Sequence, residues 1–119
     1  MPDTPAIVAH ARRLGEMIAD HDAAKQLEAA LKALEGDVDA QRALTDLNRH
    51  LQAIAEKERD GRPIEVEDKH RAESLQKAVV RSKTLRDLQV AQMDYSDLMR
   101  QVQDAIERDT PDAPASPTA

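Results

Sequence analysis

The chain has no cysteine, no phenylalanine and no tryptophan, and Tyr95 is its single tyrosine. Without cysteine it can form no disulfide, no thiol nucleophile and no Cys-ligated zinc or iron–sulfur centre of its own. Long apolar runs are missing too, which excludes a helix of about 20 apolar residues crossing a membrane. The first residues lack a basic stretch followed by an apolar one, so no secretory leader is expected, and the cytoplasm is the expected location. Excess positive charge is also absent. A net charge of −6 argues against direct nucleic-acid binding, because phosphates call for a basic face.

What remains is a chain of 119 residues, the length of one domain. Leu, Ile and Val together are scarce enough to approach the composition of disordered chains. Spacing separates it from that class. Leu88, Ala91, Tyr95, Leu98, Val102 and Ala105 recur at steps of three and four, which places them on one side of a helix running from about Leu85 to Ile106. Leu85, Met99 and Ile106 flank them, widening the stripe beyond a two-position coiled-coil seam. Abundant alanine supplies helix propensity but little buried area. The core is therefore thin, and self-association is the expected source of further burial.

Earlier segments carry weaker versions of the same pattern. Asp3 or Thr4 can cap a first helix, with Pro5 in its first turn and Ile7, Ala11, Leu14 and Ile18 stepping along one face. Val8, Ala11, Gly15 and Ala19 make a second, compact face, and Gly15 predicts a close helix crossing. Asp22 is the expected cap of a second helix that carries Leu27, Leu31 and Leu34 and ends at Gly36. Asp37 caps a third, from about Val38 to Asp60, with a stripe of Ala40, Leu44, Leu47, Leu51 and Ile54. Gly61-Arg62-Pro63 is a stop. A fourth helix, from about Glu65 to Arg81, shows only Ala72, Leu75 and Val79 on its face; Ser82 to Thr84 is either a short break or a bend. Residues 109–119 contain three prolines and no large apolar side chain, which predicts a disordered tail. The expected fold is all-α: an elongated bundle of four to five helices over residues 1–108 that forms a helical oligomer. Its core stripe is Leu14, Ile18, Leu44, Leu47, Leu51, Leu88, Tyr95, Leu98 and Val102.

Chemistry-bearing motifs are sparse. Glu67-x-x-His70 has the spacing of half a di-iron bundle site, but no second pair exists, since His10, His21 and His50 lack an acidic residue three positions earlier. Asp20 and Asp22 lack the further ligands of a calcium loop, and helix capping accounts for them more simply. Arg81, Lys83 and Arg86 form a small basic cluster that reads as a solvated helix junction. Neither a nucleophile elbow nor a phosphate-binding Gly-rich loop is found. No catalytic, metal or cofactor residue is assigned. Val90 and Met93 lie roughly opposite the main stripe of the last helix. They are either scattered surface residues or part of an interface.

The order of landmarks resembles one family. Ala9-x-Ala11-x-x-Leu14-Gly15-x-x-Ile18, then Leu27-x-x-Ala30, then Ala33-Leu34-x-x-Asp37-x-x-Ala40-Gln41-x-x-Leu44, resemble the YlbF/YmcA family. Gly61 and the run from Ala91 through Tyr95 and Leu98 to Ile106 continue the likeness, which spans roughly residues 6 to 108. The resemblance implies a small, all-helical bacterial cytoplasmic protein without catalytic residues. It also implies helical oligomers and a regulatory partner such as YaaT, in control of competence, sporulation and biofilm development through ribonuclease-dependent mRNA maturation. Departures exist. Ala23, Ala24 and Leu27 stand where family aromatics are common, and Lys83-Thr84 replaces an Asn-Pro before the last helix. Some family complexes carry iron–sulfur clusters on cysteines, ligands this chain cannot supply. The leading expectation is a non-catalytic regulatory adaptor acting through protein–protein contacts. A structural or chaperone-like helical oligomer, and a metal-dependent enzyme, are the competing classes.

Overall fold

The computed structural model describes residues 1–111, so most of the expected tail lies outside the described residues. Five helices and no strand make up the described part: α1 (Thr4–Asp20), α2 (Asp22–Glu35), α3 (Val38–Arg59), α4 (Val66–Arg81) and α5 (Lys83–Arg108). α2 packs along α5, and α3 pairs with α4 as a hairpin. The molecule measures 64 × 40 × 19 Å. Its radius of gyration is 20.6 Å, against about 13–14 Å for a compact chain of this length.

Each helix starts where a side chain can take up a free backbone N–H. Asp3 accepts from the Ala6 N–H at 3.0 Å, and Asp37 from the Ala40 N–H at 3.0 Å. Ser82, the single extended residue between α4 and α5, accepts from the Leu85 N–H at 3.2 Å. Of the two readings of Ser82–Thr84, a short break or a bend, the structure has the break, one residue long and capped by Ser82. At the head of α2 the cap is His21, not Asp22: the His21 Nδ1 accepts from the Ala23 N–H at 3.0 Å. Asp22 instead occupies the first turn, where its charge faces the positive end of the helix. α3 closes with Gly61 at φ 71°, Arg62 donating to the Lys57 carbonyl at 2.9 Å and Gly61 to that of Glu58 at 3.2 Å. This is a Schellman closure, which needs a residue free to adopt left-handed backbone.

Two aspartates fasten the parts together. The Asp37 carboxylate caps α3 and also accepts from the Thr84 hydroxyl at 2.7 Å, tying the start of α3 to the start of α5. Asp68, in the first turn of α4, accepts from Lys57 Nζ at 2.7 Å and from the Glu65 N–H at 3.0 Å. Its carbonyl accepts from His50 Nε2 at 2.7 Å.

These contacts rotate α3 away from its expected face. The buried side runs through Ala40, Ala43, Leu47, His50, Ile54 and Lys57. At 100° per residue its centre lies about 50° from the expected stripe of Ala40, Leu44, Leu47, Leu51 and Ile54. Leu51, assigned to the core stripe, falls at the edge of this face and is 42% exposed. Of the remaining stripe residues, Leu88 is buried; Leu14, Ile18, Leu44, Leu47, Tyr95, Leu98 and Val102 are half-buried. Among the described residues only Ala23, Ala30, Ala40, Leu85, Leu88 and Ala91 are buried. The largest continuous part of that core is Ala30, Leu88 and Ala91, with Leu27 and Leu34 packed against it. Four of the six are alanine, so the chain's own core is as thin as its composition implies.

Two expectations follow. Leu88→Ala should lower unfolding free energy by about 2–4 kcal/mol, whereas Leu51→Ala should cost less than about 1 kcal/mol; urea denaturation of both variants checks the assigned face. The second concerns pH. The Ala40 N–H and then the Thr84 hydroxyl hold the Asp37 carboxyl below the usual carboxylate range, and the Lys57 ammonium and Glu65 N–H do so for Asp68. Both groups therefore bind protons more weakly folded than unfolded. Their stabilisation is complete above the ordinary aspartate value of about 4 and is lost as pH falls through the lowered folded-state values. Urea midpoints measured between pH 5 and 2 should fall, and Thr84→Val and Lys57→Met should each flatten that fall. Equal slopes in wild type and both variants would refute the two roles.

Candidate interaction surface

α1 stands clear of the body of the molecule over its first ten residues. From Thr4 to Arg13 every side chain except Ala6 is exposed, so Ile7 and Ala11, expected on one face with Leu14 and Ile18, stand in solvent together with Val8. The helix meets α2 only towards the His21 joint, where Leu14 and Ile18 become half-buried. His21 is the cause of this angle: its extended backbone, φ −72° and ψ 145°, interrupts what would otherwise be one long helix.

The divergence opens an apolar hollow of about 500 Å³ between α1, α2 and α5. Gly15, Ile18 and Ala19 line it from α1, Ala24, Leu27 and Leu31 from α2, and Tyr95 and Met99 from α5. Helix length explains why it stays open. α2 has 14 residues and α5 has 26, so they span about 21 and 39 Å, and α2 cannot cover the whole stripe of its partner. Val102 is accordingly only half-buried, and Ile106 is 45% exposed. Gly15 does not mark a close crossing within the chain, as its spacing suggested. A Cβ built there meets no atom within 4 Å, because α1 has already swung clear of its neighbours.

Polar groups sit at the edges. Glu28, at the rim of the hollow, pairs with Lys32 at 3.5 Å along α2. On α5, Asp97 accepts from Arg100 and from Gln101, and these contacts, Arg100 first, hold its carboxyl below the usual range. Both pairs are solvent-exposed and add little stability, and the Asp97 group lies away from the hollow.

Val90 and Met93 are 57% and 63% exposed, yet they do not share one depression. Val90 lies over a hollow of about 400 Å³ with Ala29, Ala30 and Ala33 of α2. Met93 lies on the outer side of α5 beside Gln89, Gln92 and Ser96. The sequence placed Leu27, Leu31 and Met99 on inner helix faces. It did not mark them as walls of an opening, although the unequal lengths of the second and last helices were a readable sign of one.

The metal-like motif gains no partner. Glu67 and His70 are both exposed on α4, and among the described residues no three acidic or histidine side chains come together as metal ligands. Of the basic cluster, Lys83 pairs with Asp87 at 2.9 Å, and Arg81 and Arg86 face solvent. No helix among the described residues is long and apolar enough to cross a membrane.

Comparison with known proteins follows the same line. Neither the curated proteins nor the solved structures gave a match to this chain. A family model described as control of competence regulator ComK, YlbF/YmcA, matches residues 7–109, which run from the exposed arm of α1 to the end of α5. The all-helical build and this match along most of the chain agree: the protein belongs to the YlbF/YmcA family of regulators.

Proposed function

We propose that this protein is a non-catalytic adaptor in a bacterial cytoplasmic complex, acting through protein–protein contacts and as an oligomer of its own chain. The observation that carries this reading is the family match over residues 7–109, whose description is regulatory. The surface supports it. Large apolar side chains stand in water along α1, α2 and α5, and methionine among them suits an adaptable contact. The adaptor's expected partner is a YaaT-like, ribonuclease-associated protein, and the process is control of mRNA processing ahead of developmental states such as competence, sporulation and biofilm formation. No part of this reading requires contact between the chain and RNA, in keeping with its net charge of −6.

The outer side of α5 is the proposed partner face, since Met93 is exposed there, and neither it nor Val90, exposed nearer α2, contributes to the buried core. Co-expression with the YaaT-like protein of the same genome should give a complex that co-elutes in size-exclusion chromatography. Met93→Lys should weaken that complex by about tenfold or more and leave the helical circular dichroism unchanged. Deleting the gene should lengthen or shorten the half-lives of processed transcripts. Failure to co-elute together with unchanged transcript half-lives would sink the adaptor reading.

A further inference from the structure

We infer that the joint between α1 and α2 is a two-position switch set by a proton on His21. With a neutral ring, His21 caps α2. With a charged ring, Asp22 caps it one residue later, and α1 leaves the body in another direction.

The bond that fixes the present position is one that a second proton abolishes. The His21 Nδ1 accepts from the Ala23 N–H at 3.0 Å, so the neutral ring carries its proton on Nε2. A proton taken from solvent goes to Nδ1 and occupies the lone pair that the Ala23 N–H uses. The imidazolium can only donate, and it then stands at the positive end of α2. Ala23 is buried, so its N–H is badly placed to take water instead. The other polar contacts of the joint are backbone ones. The His21 N–H donates to the Ile18 carbonyl at 3.0 Å, and the Ala24 and Lys25 N–H groups donate to the His21 carbonyl at 3.1 Å. Neither proline nor glycine lies between Met17 and Lys25, so no residue type confines the break to position 21.

The chain supplies the second position next door. Aspartate is among the best N-cap residues, and Asp22 now stands in the first turn behind the cap it could replace. With Asp22 extended, its carboxylate takes an N–H of the new first turn, and His21 becomes the last residue of α1. A charged ring there faces the carbonyl end of a helix, which favours a cation. Its other charged neighbours are mostly acidic. Asp20 and Asp22 adjoin it in the chain, and Asp94 and Asp97 of α5 line the same depression. Lys25 stands one turn along α2, and Arg100 is engaged with Asp97.

Shifting the extended residue by one moves the exit of α1 by about 100° around the α2 axis. α1 gives Gly15, Ile18 and Ala19 to the wall of the apolar hollow. A new exit withdraws that wall from Leu27, Tyr95 and Met99, so the proton sets whether the hollow is presented. The exposed first ten residues of α1 leave little to oppose the movement.

The chain has no cysteine, so spin labels attach only where cysteines are introduced. Val8→Cys on α1 and Ser96→Cys on α5 are at exposed positions. Val8 lies about 20 Å along α1 from the joint, so the new exit moves its label by more than about 10 Å. Label separations are read by pulsed electron resonance on the full chain, diluted into unlabelled chain, at about pH 8 and about pH 5, the span over which histidines ordinarily change charge. The ratio of the two separations should change by about tenfold. His21→Asn, whose amide caps without titrating, should keep the high-pH separation throughout, and His21→Lys the low-pH one. Asp22→Ala should replace the second separation with a broad spread. Circular dichroism should show wild-type helix in each. One unchanged separation in wild type, or a shift in His21→Asn equal to that of wild type, would overturn the switch. A discrete second separation in Asp22→Ala would overturn the exchange of caps.

Discussion

The close packing of α2 on α5 through alanine is the contact on which the rest of the molecule depends. Ala30 and Ala91 are buried in this seam beside Leu88, and Leu27 and Leu34 pack against it. Small side chains allow two helices to lie near the short end of the usual interaxial range. They also remove little apolar surface from water, so the seam holds the helices in register without making a deep core. No large side chain among the described residues is fully buried. The extended shape, the open hollow and the exposed arm all follow from a seam that is tight but shallow and shorter than α5.

Where apolar area is short, polar joints set the angles between helices. Asp37 joins the start of α3 to Thr84 of α5, and Asp68 gathers Lys57 and the Glu65 N–H while its backbone carbonyl takes His50. Gln41 adds to the first joint by donating to the Leu34 and Glu35 carbonyls at 2.7 and 3.0 Å, satisfying the free end of α2. These bonds are directional, and each fixes one arrangement in place of the several that a thin apolar contact would tolerate. They serve the adaptor reading by presenting α1 and the outer side of α5 on a defined frame.

Much of the fold was legible because helix ends are written locally. Asp3, Gly36, Asp37 and Gly61 are read by their own backbone needs, and each stands where it was expected. Long-range choices were not legible. The face of α3 turned towards His50 and Lys57 because their partner is Asp68, on another helix, and apolar periodicity carries no record of such a partner. His21 displaced Asp22 as a cap because an imidazole can accept through Nδ1, a choice decided by ring orientation. The candidate surface was half visible. Val90 and Met93 stood out as apolar residues off the stripe, whereas the hollow arises from the angle between α1 and α2 at His21, which no apolar spacing encodes. Gly15 pointed to a crossing that the single chain does not make.

The central claim is that one chain leaves its core unfinished and a second copy completes it. Association of folded chains shifts the unfolding equilibrium by mass action. The most direct measurement is the thermal unfolding midpoint of the full chain across a hundredfold range of protein concentration. A midpoint that rises steadily with concentration is expected, because associated chains must dissociate as they unfold. A midpoint independent of concentration, together with monomeric mass throughout, would show that the single chain is complete as it stands.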